Sequence, residues 1–360
     1  MARYSVLGDI LLLNELTWPE IEAIYSVQSE PVPRRNIGQH GFVDVPNMDE
    51  WTFKRSFRFE KMDLEDLVAA LKIPAEVKSA QRVRVPGYEA LCMTLRRLAY
   101  PNRLCDLERT FGRHSSVISS VVSTVMAHIE YQFGHLLSDL TNHKWLDVPC
   151  LKKLSEAVHA RGAPLKNCWG FIDGTARHIC RPSVGQQEHF SGHKRHHVQK
   201  YQALMSANGI ICQLDGPFNG RRHDAGKCIL KDTALYDNLQ AINHGERYVI
   251  YGDPAYPLRP LLLKPFGGSR LLPHEALFNK RMSTVRQAVE WGFGKVAADF
   301  AFVDFHKNQK MSRQRLGRMY KVATLLSNCH TCLYGSQVSN FFEVEAPALD
   351  IYLVPLPLDS

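Results

Sequence analysis

No stretch of this sequence is long and apolar enough to cross a bilayer. The run Ile10-Leu11-Leu12-Leu13 spans four residues, whereas a membrane helix needs roughly 20. The first residues also lack the basic start and small-residue cleavage site of a secretory signal. The nine cysteines follow no repeating framework, and their odd count argues for reduced thiols in an intracellular protein. Cys329-His330-Thr331-Cys332 has the spacing of half a zinc site. No second pair answers it, and its positions fall on a helical pattern, so it reads as buried core. A glycine-rich phosphate loop is missing as well, so no ATP cofactor is expected. Internal repeats and low-complexity tracts are also absent.

What the chain does have is an ordinary globular composition with a basic tilt. Of 360 residues, 45% are hydrophobic and 22% charged, enough for a sizeable core and a length prior of two domains. Forty-four Lys and Arg against 36 Asp and Glu give a net charge of +8, with 16 histidines in reserve. That excess favours a polyanionic partner.

Residues 1–50 are broken by Pro31, Pro33, Gly38, Gly41 and Pro46 and read as an irregular arm. Residues 51–150 read as a helical, helix-turn-helix-like domain. Leu64, Leu67, Val68 and Leu71 form one apolar stripe that stops before Pro74; Leu91, Leu95 and Leu98 form another that stops before Pro101. Leu104, Leu107 and Phe111 make a short helix, and Gly112-Arg113-His114 turns the chain. Ser115 or Ser116 then caps a second helix with Ile118, Val121, Val122, Val125 and Ile129 inward. If that layout reads DNA, Arg113, His114, Ser116, Ser119 and Ser120 face the groove or the phosphates. An αα-hairpin inside a bundle has the same pattern.

After Pro164 the period changes. Cys168 to Ile172 is a short apolar strand ending at Asp173-Gly174-Thr175. Val198–Ser206 and Ile210–Leu214 are two further strands joined by Asn208-Gly209, a strong hairpin signal. Asp224 can cap a helix carrying Ile229, Leu235, Leu239 and Ile242, and Tyr248–Tyr251 is a fourth strand ending at Gly252-Asp253-Pro254. Ser283 can cap a last helix with Val285, Val289, Gly292, Phe293 and Val296 inward. The order β-β-β-α-β-α predicts a mixed sheet with helices on its faces. The mixed α/β unit covers 165–335, with a tail at 336–360.

Asp173 and Asp253 thus each end an apolar strand, the edge where open α/β sheets place their sites. Glu290, one position past Val289, lies about 100° round its helix from the buried stripe. Three convergent carboxylates repel one another unless a cation sits between them, and Mg²⁺ or Mn²⁺ suits oxygen donors. Each acid also has an ordinary explanation: Asp-Gly-Thr and Gly-Asp-Pro are turn sequences, and Glu290 can pair with Arg286 four residues earlier.

Four motifs add to this pattern: Phe171-Ile172-Asp173-Gly174-Thr175, Gly220-Arg221-Arg222-His223-Asp224, Tyr251-Gly252-Asp253-Pro254-Ala255-Tyr256-Pro257 and Val289-Glu290-Trp291-Gly292-Phe293-Gly294. With Asn328 before a cysteine/histidine cluster, they resemble the PIF/Harbinger transposases and their domesticated nuclease relatives. The resemblance runs loosely from Trp51 to Tyr334 and is most specific from Cys168 onward. It implies an RNase H-like DDE nuclease fold, with Asp173, Asp253 and Glu290 as catalytic acids and ligands of two Mg²⁺ or Mn²⁺ ions. It also implies transposon-end or related DNA as substrate, a Myb-like DNA-binding partner protein and a nuclear location, possible alongside a cytoplasmic pool. The oligomeric state stays open, a homo-oligomer among the options. Gly252-Asp253-Pro254 departs from the commoner glycine-aspartate-X-glycine wording. His223 and Asp224 match a motif of auxiliary role, with Asp224 read first as a helix cap.

Two basic stretches are candidates for holding DNA. His193 to Lys200 contains Lys194 and Arg195 and is expected near Asp173. Residues 307–321 hold Lys307, Lys310, Arg313, Arg315, Arg318 and Lys321 and no acid, leading into a helix with Leu316, Met319, Ala323 and Leu326 inward. Phosphates would relieve that crowding of positive charge at a helix N-terminus; a solvated basic face with nuclear-import value is the plainer reading. A non-catalytic DNA-binding or scaffold protein on the same fold is the main rival to an endonuclease. A zinc or histidine hydrolase built on His193, His196 and His197 lacks a strand-anchored ligand set.

Overall fold

The computed structural model describes residues 47–221, 234–311 and 314–356. Most of the arm (1–46), His223, Asp224 and Arg313 lie outside the described residues. The helical region comprises α1 (Glu50–Phe57), α2 (Leu64–Ala70), α3 (Gly87–Ala99), α4 (Leu104–Phe111), α5 (Ser115–Phe133) and α6 (Val148–Ala160). Asp49 caps α1 by accepting from the Thr52 amide at 2.8 Å. Gly112, at φ 61°, ends α4 in the left-handed conformation that favours glycine. The expected face of α5 is buried from Ile118 to Ile129. Its cap is His114, not a serine: the Nδ1 atom accepts from the Ser116 amide, while the Ser115 amide is taken by Glu108. A short ribbon unseen in the sequence, β1 (Glu76–Lys78) with β2 (Arg84–Pro86), interrupts the helices.

The mixed sheet follows. β3 (Cys168–His178) is central, with β5 (His196–Ser206) antiparallel on one side and β7 (Val249–Tyr251) parallel on the other. β6 (Ile211–Asn219) and the two-residue β4 (Phe190–Ser191) pair with β5, while β8 (Leu262–Leu263) extends the sheet beyond β7. Phe171 and Ile172 on β3 are fully buried, and each contributes about 1.5–3 kcal/mol by leaving water. A short helical turn, α7 (Gln186–His189), precedes β4, and α8 (Leu235–Asn243) leads into β7. Ala234 occupies the cap position of α8.

α9 (Pro273–Asp299) begins ten residues before Ser283, so Ser283 lies inside the helix and is not its cap. Its start has Pro273 in the first turn, and Glu275 accepts from the Leu272 amide at 2.8 Å. The inward residues from Val285 to Val296 are buried as expected. α9 lies very close to the sheet. A methyl group on Gly292 would come within 1.6 Å of the Met205 terminal carbon, so that flexible side chain would have to shift to admit it. α10 (Leu316–Tyr334) buries Leu316, Met319, Ala323 and Leu326. The segment after it docks through α11 (Gln337–Phe342) and α12 (Leu349–Tyr352). Asn328 on α10 ties β6 to α12: it accepts from the Ile211 amide at 3.0 Å, donates to the Ile211 carbonyl at 2.9 Å and donates to the Tyr352 hydroxyl at 2.8 Å. Cys329 is buried with its thiol pushed up by desolvation, in keeping with a core cysteine.

Candidate active site

Asp173 is not at a strand end. β5 pairs with β3 as far as His178↔Val198, so Gly174 and Thr175 continue the ladder instead of turning, and Asp173 sits mid-strand. Its neighbour is set by the parallel pairing. Phe171 is in register with Tyr251, the last residue of β7, so Asp173 lies two residues further along β3 and Asp253 two residues past the end of β7. The Asp253 carboxylate accepts from the Ala255 amide at 2.9 Å, the local turn that Asp-Pro sequences favour. Gly252 is forced by packing: an added methyl would lie 2.7 Å from the Tyr256 ring and 3.0 Å from Ile172.

Arg286 joins the third acid to the first. One of its terminal nitrogens donates to Asp173 Oδ2 at 2.8 Å, and the other approaches Glu290 Oε1 at 3.6 Å. The ion pair read as an ordinary i,i+4 contact is therefore present, but the same guanidinium also reaches the sheet. Side-chain exposures of 18% for Asp173, 20% for Arg286 and 60% for Glu290 separate a sheltered pair from an open one. Burial raises the Asp173 carboxyl above its ordinary range; Arg286 opposes that rise, and the nearby Asp253 carboxylate adds to it. Among the described residues, no group of three or more His, Cys, Asp or Glu side chains is arranged to hold a metal ion. Arg286 is the counter-charge between Asp173 and Glu290. The donors nonetheless fit a hard divalent cation: they are oxygens, and the desolvated Asp173 carboxylate with Asp253 beside it favours added positive charge.

A buried polar chain supports the Asp253 loop. The Tyr256 hydroxyl donates to Gln202 at 3.2 Å, and Gln202 donates to Asp215 at 3.3 Å. Desolvation pushes the Asp215 carboxyl up to about 6, against hydrogen bonds from Gln213 and Gln202. The folded protein thus holds this proton more tightly than the unfolded chain does. The stability gained is complete below the ordinary carboxylate value and is lost as pH rises through about 6. Asp215→Asn should therefore raise stability at neutral pH by on the order of 2–3 kcal/mol and change it little in acid. Denaturant unfolding at both pH values checks this; an equal effect at both would assign the change to packing instead.

The other predicted site residues fall in different places. Arg113 makes a two-bond ion pair with Glu89, each bond 2.7 Å, in a half-buried position, so it is committed to the helical core. His114 and Ser116 are exposed but bonded to each other as a cap. Lys194 and Arg195 do not flank Asp173. Asp173 is in register with Ala203, so Arg195 lies eight residues, about 26 Å of strand, away, in the turn before β5. Lys307, Lys310 and Arg315 lie between α9 and α10, and Lys310 and Arg315 line a cavity against the helical region. Arg286, Tyr256 and Gln202 went unassigned in the sequence; only the spacing of Arg286 before Glu290 pointed to any of them.

Residues 172–328, which include all three acids, match the family described as DDE superfamily endonuclease. The chain is 24% identical over 302 residues to a "Protein ALP1-like" of Arabidopsis thaliana, covering 78% of this chain and 70% of that protein. No solved structure matches it. Both comparisons agree with the PIF/Harbinger resemblance of the motifs. Over residues 172–328 the chain is thus similar to the DDE superfamily endonucleases.

Proposed function

We propose that this chain is a metal-dependent DNA endonuclease of transposase type, in which Asp173, Asp253 and Glu290 hold two Mg²⁺ or Mn²⁺ ions. The observation that carries the reading is the register of Phe171 with Tyr251 on adjacent parallel strands, which brings Asp253, just past the end of β7, close enough to Asp173 to raise its carboxyl, with Glu290 linked to Asp173 through one guanidinium. When bound, such ions neutralise the phosphoryl oxygens and activate a water or a DNA 3′-hydroxyl. The chain's own task is to hold and orient. Asp173, the sheltered acid, fixes the centre on the rigid middle strand, and Asp253 is fixed by its turn and by Tyr256. Glu290 stands on α9, whose buried face at Gly292 packs against Met205 of β5. Arg286, released from the carboxylates, faces a phosphate. In hydrolysis the water oxygen bonds to phosphorus as the phosphorus–3′-oxygen bond breaks, and the departing oxygen takes up a proton.

A second reading has one observation in its favour. Arg286 already neutralises Asp173, as it would permanently in a domesticated, non-catalytic DNA-binding or scaffold protein. Purified protein incubated with terminal-repeat DNA and Mn²⁺ decides between them. Strand nicking that chelator abolishes is the expected result, and intact DNA with bound protein would favour the scaffold. A nuclear location, a Myb-like partner and assembly into a homo-oligomer belong to the same proposal, supported by the basic segment 307–321 and by the motif resemblance.

A further inference from the structure

Between the helical region and α10 lies a cavity of about 640 Å³. Arg97 on α3 and Ser119 on α5 form one wall, and Phe302, Lys310 and Arg315 form the other. Among the described residues, no aspartate or glutamate lines it. Arg318, also on the wall, is paired with Glu130, but Arg97, Lys310 and Arg315 have no carboxylate partner among the described residues.

Arg97 carries the argument. Its guanidinium donates to the Asn102 carbonyl and stacks 3.9 Å from the Phe302 ring centre, while burial lowers its pKa to about 10. A cation withdrawn from water without a counter-charge is costly, and an anion entering the cavity would offset that cost. Ser119 adds a hydroxyl, and the 19-residue helix α10 starts here with no side-chain cap on its free amides. The Phe302 wall of the cavity is tied to the strand that carries Asp173. Arg177 shares a face with Asp173 by strand alternation, and it bonds Asp304, two residues past Phe302, at 2.9 Å. Four residues of strand, about 13 Å, separate Asp173 from Arg177, so a duplex held at the acids extends over this wall within one helical turn.

We propose that this cavity is a seat for a DNA backbone phosphate, anchoring duplex beside the bond to be cut. The proposal rests on the nuclease reading above. The test is binding of a labelled duplex in chelator across a salt series, using the full chain. Lys310→Gln with Arg315→Gln should weaken binding about tenfold and flatten the slope of log affinity against log salt by about two. Arg97→Met should also weaken binding, while its thermal midpoint holds or rises because a desolvated charge is gone; a purely structural arginine would lower the midpoint and leave affinity unchanged. If the parent cuts DNA but the slope is the same in both variants, the seat is rejected and the nuclease stands. If tripolyphosphate raises the parent's midpoint while the DNA slope stays unchanged in the variants, the ligand is a free polyphosphate and the DNA proposal is overturned. A parent that neither binds nor cuts DNA sinks both readings together.

Discussion

Asp253→Asn is expected to lower metal-dependent DNA cleavage by about 100- to 1000-fold, with DNA binding in chelator nearly unchanged. The side chain keeps its shape and can still accept from the Ala255 amide, so the turn after β7 survives. What is lost is one of two adjacent negative charges. The parent should be stabilised by Mn²⁺ through mass action, by about 2.7 kcal/mol at a hundredfold excess over the dissociation constant, and the variant should lose most of that shift. Calorimetry with and without Mn²⁺, run beside a cleavage assay, reads both effects. A variant that cuts as well as the parent removes Asp253 from the site.

Arg286→Gln should act in the opposite order. Without metal, it leaves Asp173 sheltered and without its counter-charge, and breaking a largely buried pair is destabilising. Partial exposure of both partners tempers the loss to about 2 kcal/mol. The Asp173 carboxyl then rises further, because the main influence lowering it is gone. Mn²⁺ should restore more stability to this variant than to the parent, since no resident cation competes for the carboxylates. Thermal unfolding over a Mn²⁺ titration measures that difference. If metal shifts parent and variant alike and the metal-free midpoints coincide, the Arg286 contact has no bearing on the site. If metal shifts neither, the scaffold reading gains.

The apolar run before Asp173, the Asn208-Gly209 hairpin and the inward face of α9 could all be read from residue pattern, because local period and turn chemistry determine them. Other features depend on partners distant in sequence. Asp173-Gly174-Thr175 reads as a turn until β5 proves long enough to carry the ladder past it. The first turns of α9 are mostly exposed, so they carry no apolar period, and the periodicity becomes visible only where burial begins near Met282. Pro273 and Glu275 were the available signals. Arg113 looked like a DNA contact because nothing local reveals Glu89, 24 residues earlier in the chain. The same limit hid the reach of Arg286 to Asp173, which spans 113 residues.

The seam between the helices and the endonuclease-like region is fastened at several points. Arg58 donates to the Asp299 carbonyl at 3.0 Å, the Tyr334 hydroxyl donates to Asp63 at 2.6 Å, and Glu130 on α5 pairs with Arg318 on α10. α5 therefore does for α10 what a core helix does for its neighbour. For genetics this blurs a familiar inference. A loss-of-function allele mapping to α5 cannot be assigned to partner recognition by its position, because the same lesion would also loosen α10, the helix it supports.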